Sequence, residues 1–104
     1  MLPASNVLVL DGIVLKTPKI TRSPSGITHW HFVLEHQSQQ TEADLPRRAF
    51  LRIPVVVSGR ESQQLSQALL KGNSIRANGF LSRHDSRDGS SKLVLHAQSI
   101  EQIS

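Results

Sequence analysis

The side chains best suited to chemistry in this 104-residue chain are aromatics set among arginines, rather than acids, bases or nucleophiles. Phe50 lies beside Arg47, Arg48 and Arg52, and Phe80 between Arg76 and Arg83. A π face flanked by guanidinium groups suits unpaired nucleotides, because a base stacks on the ring while neighbouring phosphates are neutralised. The other basic residues also fall into groups, with Lys16, Lys19 and Arg22 in one stretch and Arg83, Arg87 and Lys92 in another. A net charge of +4 favours a polyanionic partner, without deciding among DNA, RNA and an anionic membrane.

Catalytic readings find little support. The acids Asp11, Glu35, Glu42, Asp44, Glu61, Asp85, Asp88 and Glu101 show no paired spacing suited to acid–base work. There is no Gly-rich phosphate loop and no nucleophile elbow. His29 and His31 share a strand face, but His36 falls on the opposite parity and no cysteine completes a zinc set. The expectation is a protein that is not an enzyme and holds neither metal nor cofactor. The lack of cysteine fits a cytoplasmic location. No apolar run reaches bilayer length, and the first residues lack the pattern of a secretory signal, so no membrane role is expected.

The elements that position these residues are mostly strands. Val7–Leu10 and Ile13–Leu15 are aliphatic runs around Gly12, where an interior glycine suggests a bulge or a sharp bend. Lys16–Ser25 is a connection, turning at Ser23–Gly26. Thr28–His36 alternates, with Trp30, Phe32 and Leu34 on the core face and His29, His31, Val33 and Glu35 on the other. Gln37–Pro46 is polar and unpatterned, a long connection of the kind that is often functional. Ala49–Val57 is a third strand whose core face is Ala49, Leu51, Ile53, Val55 and Val57, with Pro54 at a bulge or an unpaired edge. Glu61–Leu70 is a helix carrying Leu65, Ala68 and Leu69, stopped by Gly72. A fourth strand carries Ile75, Ala77, Gly79 and Leu81. After a turn at Asp88-Gly89, a fifth carries Leu93, Leu95 and Ala97, and Ile100 and Ile103 continue the packing. Three strands, a short helix and two strands predict a single all-β domain over 1–104. Its architecture is the five-stranded Greek-key OB-fold barrel, with the helix between strands 3 and 4.

Parity then fixes the outward faces. The third strand turns Arg48, Phe50, Arg52, Pro54 and Val56 outward, and the fourth Ser74, Arg76, Asn78, Phe80 and Ser82. The fifth turns out Lys92, Val94, His96 and Gln98. Phe50 and Phe80 are therefore stacking candidates, although an outward Phe can instead pack under a loop or fill a dimer interface. Trp30 shares the face of Phe32 and Leu34 and reads as core. Arg22, Arg47, Arg83, Arg87 and Lys92 supply charge from the loops that border an OB channel.

Several stretches resemble a known family: Asn6–Val14 with Pro18, Ser23–Ile27, Phe32–His36, Pro54–Gly59, Gly79-Phe80 and Leu93–Ala97. They are similar to the bacterial single-stranded DNA-binding proteins, and in particular to the primosomal branch. The general members carry an acidic C-terminal tail, whereas this sequence ends at Ser104, just after the fifth strand. The resemblance implies a homodimer of OB folds that binds single-stranded DNA during replication restart, with the PriA helicase and the DnaT protein as partners. It places the family's stacking tryptophan at Phe50, and its basic hairpin positions at Asp85, Arg87 and Lys92. Two further basic positions fall at Gln37 and at Thr21, beside Arg22. Two other readings of the residues remain: an RNA-binding OB module, and a protein-interaction adaptor with a basic docking face.

Overall fold

The computed structural model describes residues 3–59 and 63–104. Along the chain these form β1 (Leu8–Val14), β2 (Lys19–Arg22), β3 (Thr28–Glu42), β4 (Leu45–Ser58), α1 (Gln63–Ala68), β5 (Ser74–Asp85) and β6 (Ser91–Gln102). The strands make one sheet, ordered β1-β5-β6-β4-β3-β2, which closes because β1 also pairs with β3. The five strands β1, β3, β4, β5 and β6 are the expected OB barrel. The β4–β6 pair is parallel, and the others are antiparallel.

Closure depends on β1 changing neighbours. Leu8–Ile13 run against β5, and Ile13 and Val14 then run against β3. Gly12 sits at that crossing, where a Cβ would collide with the Glu35 carbonyl and lie 2.9 Å from Leu34 Cγ. The bend expected there is a seam at which two backbones touch. A second close approach occurs at Gly79, whose Cβ would strike the His96 carbonyl. There the β5–β6 register slips from Asn78↔Ser99 to Gly79↔Ala97, making Gln98 the extra residue of a β-bulge.

The core forms inside the staves. Val14, Leu34, Ile75 and Leu95 are fully buried, and Trp30, Phe32, Val55 and Val57 join them as their parity requires. Leu65, Ala68 and Leu69 add the apolar stripe of α1 to the same cluster. The Asn73 side-chain amide donates to the Gln67 carbonyl at 2.8 Å and the Ala68 carbonyl at 3.3 Å, satisfying the end of the helix. Among the described residues the helix ends at Ala68 rather than Leu70, and Glu61 lies outside them.

The structure corrects several expectations. Gln37–Pro46 is not a loop: β3 and β4 pair without a break from His29↔Ser58 to Glu42↔Leu45. The turn between them is Ala43-Asp44, both residues at positive φ (53° and 60°) as a type I′ turn demands. The arm escaped detection because both its faces are solvated, so no apolar alternation marks it, and its turn contains no glycine. Lys19–Arg22, expected within a connection, pairs with β3 as the short strand β2. Leu51 and Leu93 have the core parity, but they lie on arms beyond the barrel rim and are 37% and 57% exposed. Ala49 is half-buried and Ile103 is exposed, whereas Ile100 does pack on the core. Val94, of outward parity, is buried. The projecting arms give a radius of gyration of 15.0 Å, where a compact chain of about 100 residues has about 13 Å.

Candidate nucleic-acid interface

Phe50 stands on the outer face of the β3–β4 arm, 52% exposed. Its neighbours of the same parity on β4 are Arg48 and Arg52, and the register sets Gln37 opposite Phe50 and Glu35 opposite Arg52. Each arginine is anchored from β3. Arg48 Nη2 donates to Gln37 Oε1 at 2.6 Å, and Arg52 Nε donates to Glu35 Oε2 at 2.8 Å. The Arg52 guanidinium carbon lies 6.0 Å from the Phe50 ring centroid, at the outer reach of a cation–π contact. A guanidinium carries five donors in a fixed fork, so one anchoring bond orients it and leaves donors to offer a phosphate.

Below this arm lies a groove. β4 meets β6 only through Val55–Val57, above which the β3–β4 and β5–β6 arms diverge. Pro54 stands where that parallel pairing has not yet begun, so its missing N–H interrupts nothing on that side. The space between the arms is about 630 Å³. Its apolar floor includes Val33, Pro54, Val56 and Val94, which accounts for the burial of Val94. Its walls carry His29, His31, His84 and His96, together with Arg83 and Lys92. His29 Nδ1 is 2.7 Å from Ser58 Oγ, and His31 Nε2 is 3.0 Å from Thr21 Oγ1. Burial, and then the nearby His29, Lys19 and Lys92, hold the His31 pKa below its ordinary value. At the far end Phe80 is half-buried and stacks on His96, with centroids 5.0 Å apart and planes within 5°. A further hollow beside that pair, bordered by Val56 and Ser58, extends the surface.

The remaining candidates separate by partner and position. Arg83 lies on the groove wall but is clasped by Asp85, at 2.9 Å from Nε and 3.2 Å from Nη2. Lys92 lies on the same wall, and Arg87 is exposed at the hairpin tip. Arg47 has the opposite parity to Phe50 and reaches Glu42 at 3.5 Å near the turn. Arg22 bonds Thr28 Oγ1 at 3.0 Å at the end of β2. Arg76 is held by Asp11 on the β1–β5 seam, through bonds of 2.7 and 2.9 Å. Those bonds, and the charges of Arg76 and His36, keep the Asp11 carboxyl below its usual pKa. Arg48, Phe50 and Arg52 are thus brought together on one arm, and Arg83 and Lys92 along one groove, with Phe80 in the hollow at its end. Arg22, Arg47 and Arg76 stand apart.

Sequence reasoning missed the anchoring roles of Gln37 and Glu35, and it missed the grouping of the histidines. Parity already turned His29, His31 and His96 outward. The absent signal was the β4–β6 pairing that makes their strands neighbours.

Residues 6–99 match a single-strand binding protein family. Over 99 residues the chain is 52% identical to the replication restart protein PriB of Vibrio cholerae, spanning 95% of this chain and 99% of that one. It is 50% identical to PriB of Yersinia pseudotuberculosis, over 95% of this chain and 94% of that one. Among solved structures, PriB of Ralstonia solanacearum superposes with a TM-score of 0.79 at 23% identity, over 97% of this chain and 100% of that one. The single-stranded DNA binding protein of Thermus aquaticus gives 0.76 at 21% identity, over 96% of this chain and 50% of that one. The two solved structures share the fold. The close sequence relatives, matched over nearly the full length of both chains, make the chain a member of the PriB family of replication restart proteins.

Proposed function

We propose that the chain binds single-stranded DNA with little sequence preference and acts, without catalysing a reaction, in the restart of replication. The observation that carries this reading is Phe50, exposed on a projecting arm between two arginines that are each anchored from the neighbouring strand. An aromatic so placed needs an unstacked base, so single strands are favoured over duplex. The path runs from Arg48, Phe50 and Arg52 down the groove past Lys92 and Arg83 to Phe80 and His96, with Arg87 at its margin. Arg22, Arg47 and Arg76 make no part of it.

The working form is a homodimer in the cytoplasm, with the PriA helicase and the DnaT protein as partners. One edge of β1 supports dimerisation. Among the described residues, Leu8 to Gly12 pair only with β5, and Val7 and Val9 are 76% and 51% exposed beside the open edge. An apolar strand edge of this kind is a template for pairing with another chain. Sedimentation at micromolar concentration is expected to show a dimer, and a monomer there contradicts the proposal.

The binding test is an anisotropy titration with single-stranded DNA, duplex DNA and RNA of equal length. Tighter binding to the DNA single strand is expected. Equal affinity for duplex removes the stacking role of Phe50, and a preference for RNA reassigns the groove to an RNA-binding module.

A further inference from the structure

Four of the chain's five histidines, His29, His31, His84 and His96, line the groove between the arms. They come from β3, β5 and β6, which meet there only because β4 pairs with β6. The fifth, His36, is engaged elsewhere, with Nδ1 2.6 Å from the Asp11 carbonyl and Nε2 2.7 Å from Ser38 Oγ. Among the described residues no carboxylate lines the groove. The charges facing the imidazoles are cations: Lys19 on β2, Lys92 on β6 and Arg83 on β5. Nearby acids are already committed, Asp85 to Arg83 and Glu35 to Arg52 of β4.

We propose that this groove binds the DNA backbone through proton-linked imidazole contacts, so that binding takes up protons and tightens as the pH falls. The inference rests on the reading that single-stranded DNA follows this face. In the free protein, burial and then the nearby His29, Lys19 and Lys92 oppose protonation of His31. A phosphate chain laid in the groove reverses the sign of the surroundings and favours imidazolium. Imidazolium donates from both ring nitrogens, so His29 and His31 can keep Ser58 and Thr21 and still offer an N–H to a phosphate oxygen. Protonating all four would double the formal charge of +4, entirely on the binding face. The sign follows from linkage. For an imidazole whose pKa is higher in the complex than in the free protein, affinity rises as pH falls through the bound value and levels off below the free one.

The test uses the full chain and oligothymidylate carrying a pH-insensitive dye, since thymine and phosphodiester do not titrate over this range. At fixed ionic strength, affinity is expected to rise at least about fivefold between roughly pH 8 and pH 5.5, the least gain if binding raises the pKa of even one imidazole by about one. Calorimetry in two buffers of different ionisation enthalpy should show net proton uptake near the ordinary imidazole pKa. His31→Gln with His84→Gln should cut both the rise and the uptake, and Gln at all four positions should abolish them. If the fourfold variant fails to fold by circular dichroism, the double variant decides. A flat affinity without proton uptake, or a rise undiminished in the double variant, overturns the proposal while leaving single-strand binding in place. No binding at any pH would instead remove the reading on which it rests.

Discussion

Phe50 and Leu51 are adjacent on β4 with opposite parity, yet neither is core, and this sets their expected behaviour. Phe50→Ala should cost about 1–3 kcal/mol of single-strand binding without lowering the melting temperature, because a 52% exposed ring leaves no cavity. Leu51→Ala should cost less than about 1 kcal/mol of stability, since the residue is 37% exposed on the arm rather than inside the barrel. Leu34→Ala, at a fully buried position, should cost about 2–5 kcal/mol. Thermal melts and titrations on the three variants check all of this, and a Phe50→Ala protein that melts early but still binds would contradict the assignment. Asp11 makes a pH prediction at the same scale. Arg76's hydrogen bonds depress its folded pKa below the ordinary 3.8, so its contribution is present above that value and is lost as pH falls through the folded pKa. Both partners are more than a third exposed, so the effect is small. The melting-temperature gap between wild type and Asp11→Asn should therefore be constant near neutral pH and close in acid.

At the scale of elements, the barrel depends on seams and the proposed binding face on arms. Gly12→Ala forces a methyl against the Glu35 carbonyl where β1 crosses from β5 to β3. It is expected to destabilise the protein by about 1–3 kcal/mol or more, as overpacking does. An unchanged melting temperature would show that the seam can relax. The β3–β4 turn offers the converse test. Ala43 occupies positive φ without the side chain or the freedom that favours it, so Ala43→Asn with Asp44→Gly should stabilise by roughly 0.5–2 kcal/mol. Because the turn sets the register that brings Gln37 to Arg48 and Glu35 to Arg52, binding should be retained. Loss of affinity with gain of stability would mean that the turn residues themselves touch DNA.

For the molecule as a whole, charge determines how binding responds to salt. The affinity for single strands should fall with salt, with a log–log slope of about −0.7 per phosphate neutralised. Asp85 clasps Arg83 on the groove wall, so Asp85→Asn should tighten binding and steepen the slope by about 0.7 if one more phosphate is engaged. A slope unchanged from wild type would mean that Arg83 does not contact the backbone.

The sequence by itself determined what depends on local alternation and composition. The parity of Phe32, Leu34, Ile53, Val55 and Val57 was readable because one face of each strand is buried and the other is wet, a contrast that recurs every second residue. The helix stripe of Leu65, Ala68 and Leu69 and the outward aspect of Phe50 followed from the same rule. The family was legible too, from motifs spread along the chain. What only the tertiary structure decided is which strands are neighbours and where the barrel ends. Leu51 and Leu93 keep the core parity, yet they are exposed because their arms outrun the barrel, and no local pattern records a rim. Val94 is buried against its parity because a second arm stands over it. The four groove histidines lie far apart along the chain and share a surface through the parallel β4–β6 contact, a long-range pairing that no short stretch of sequence encodes.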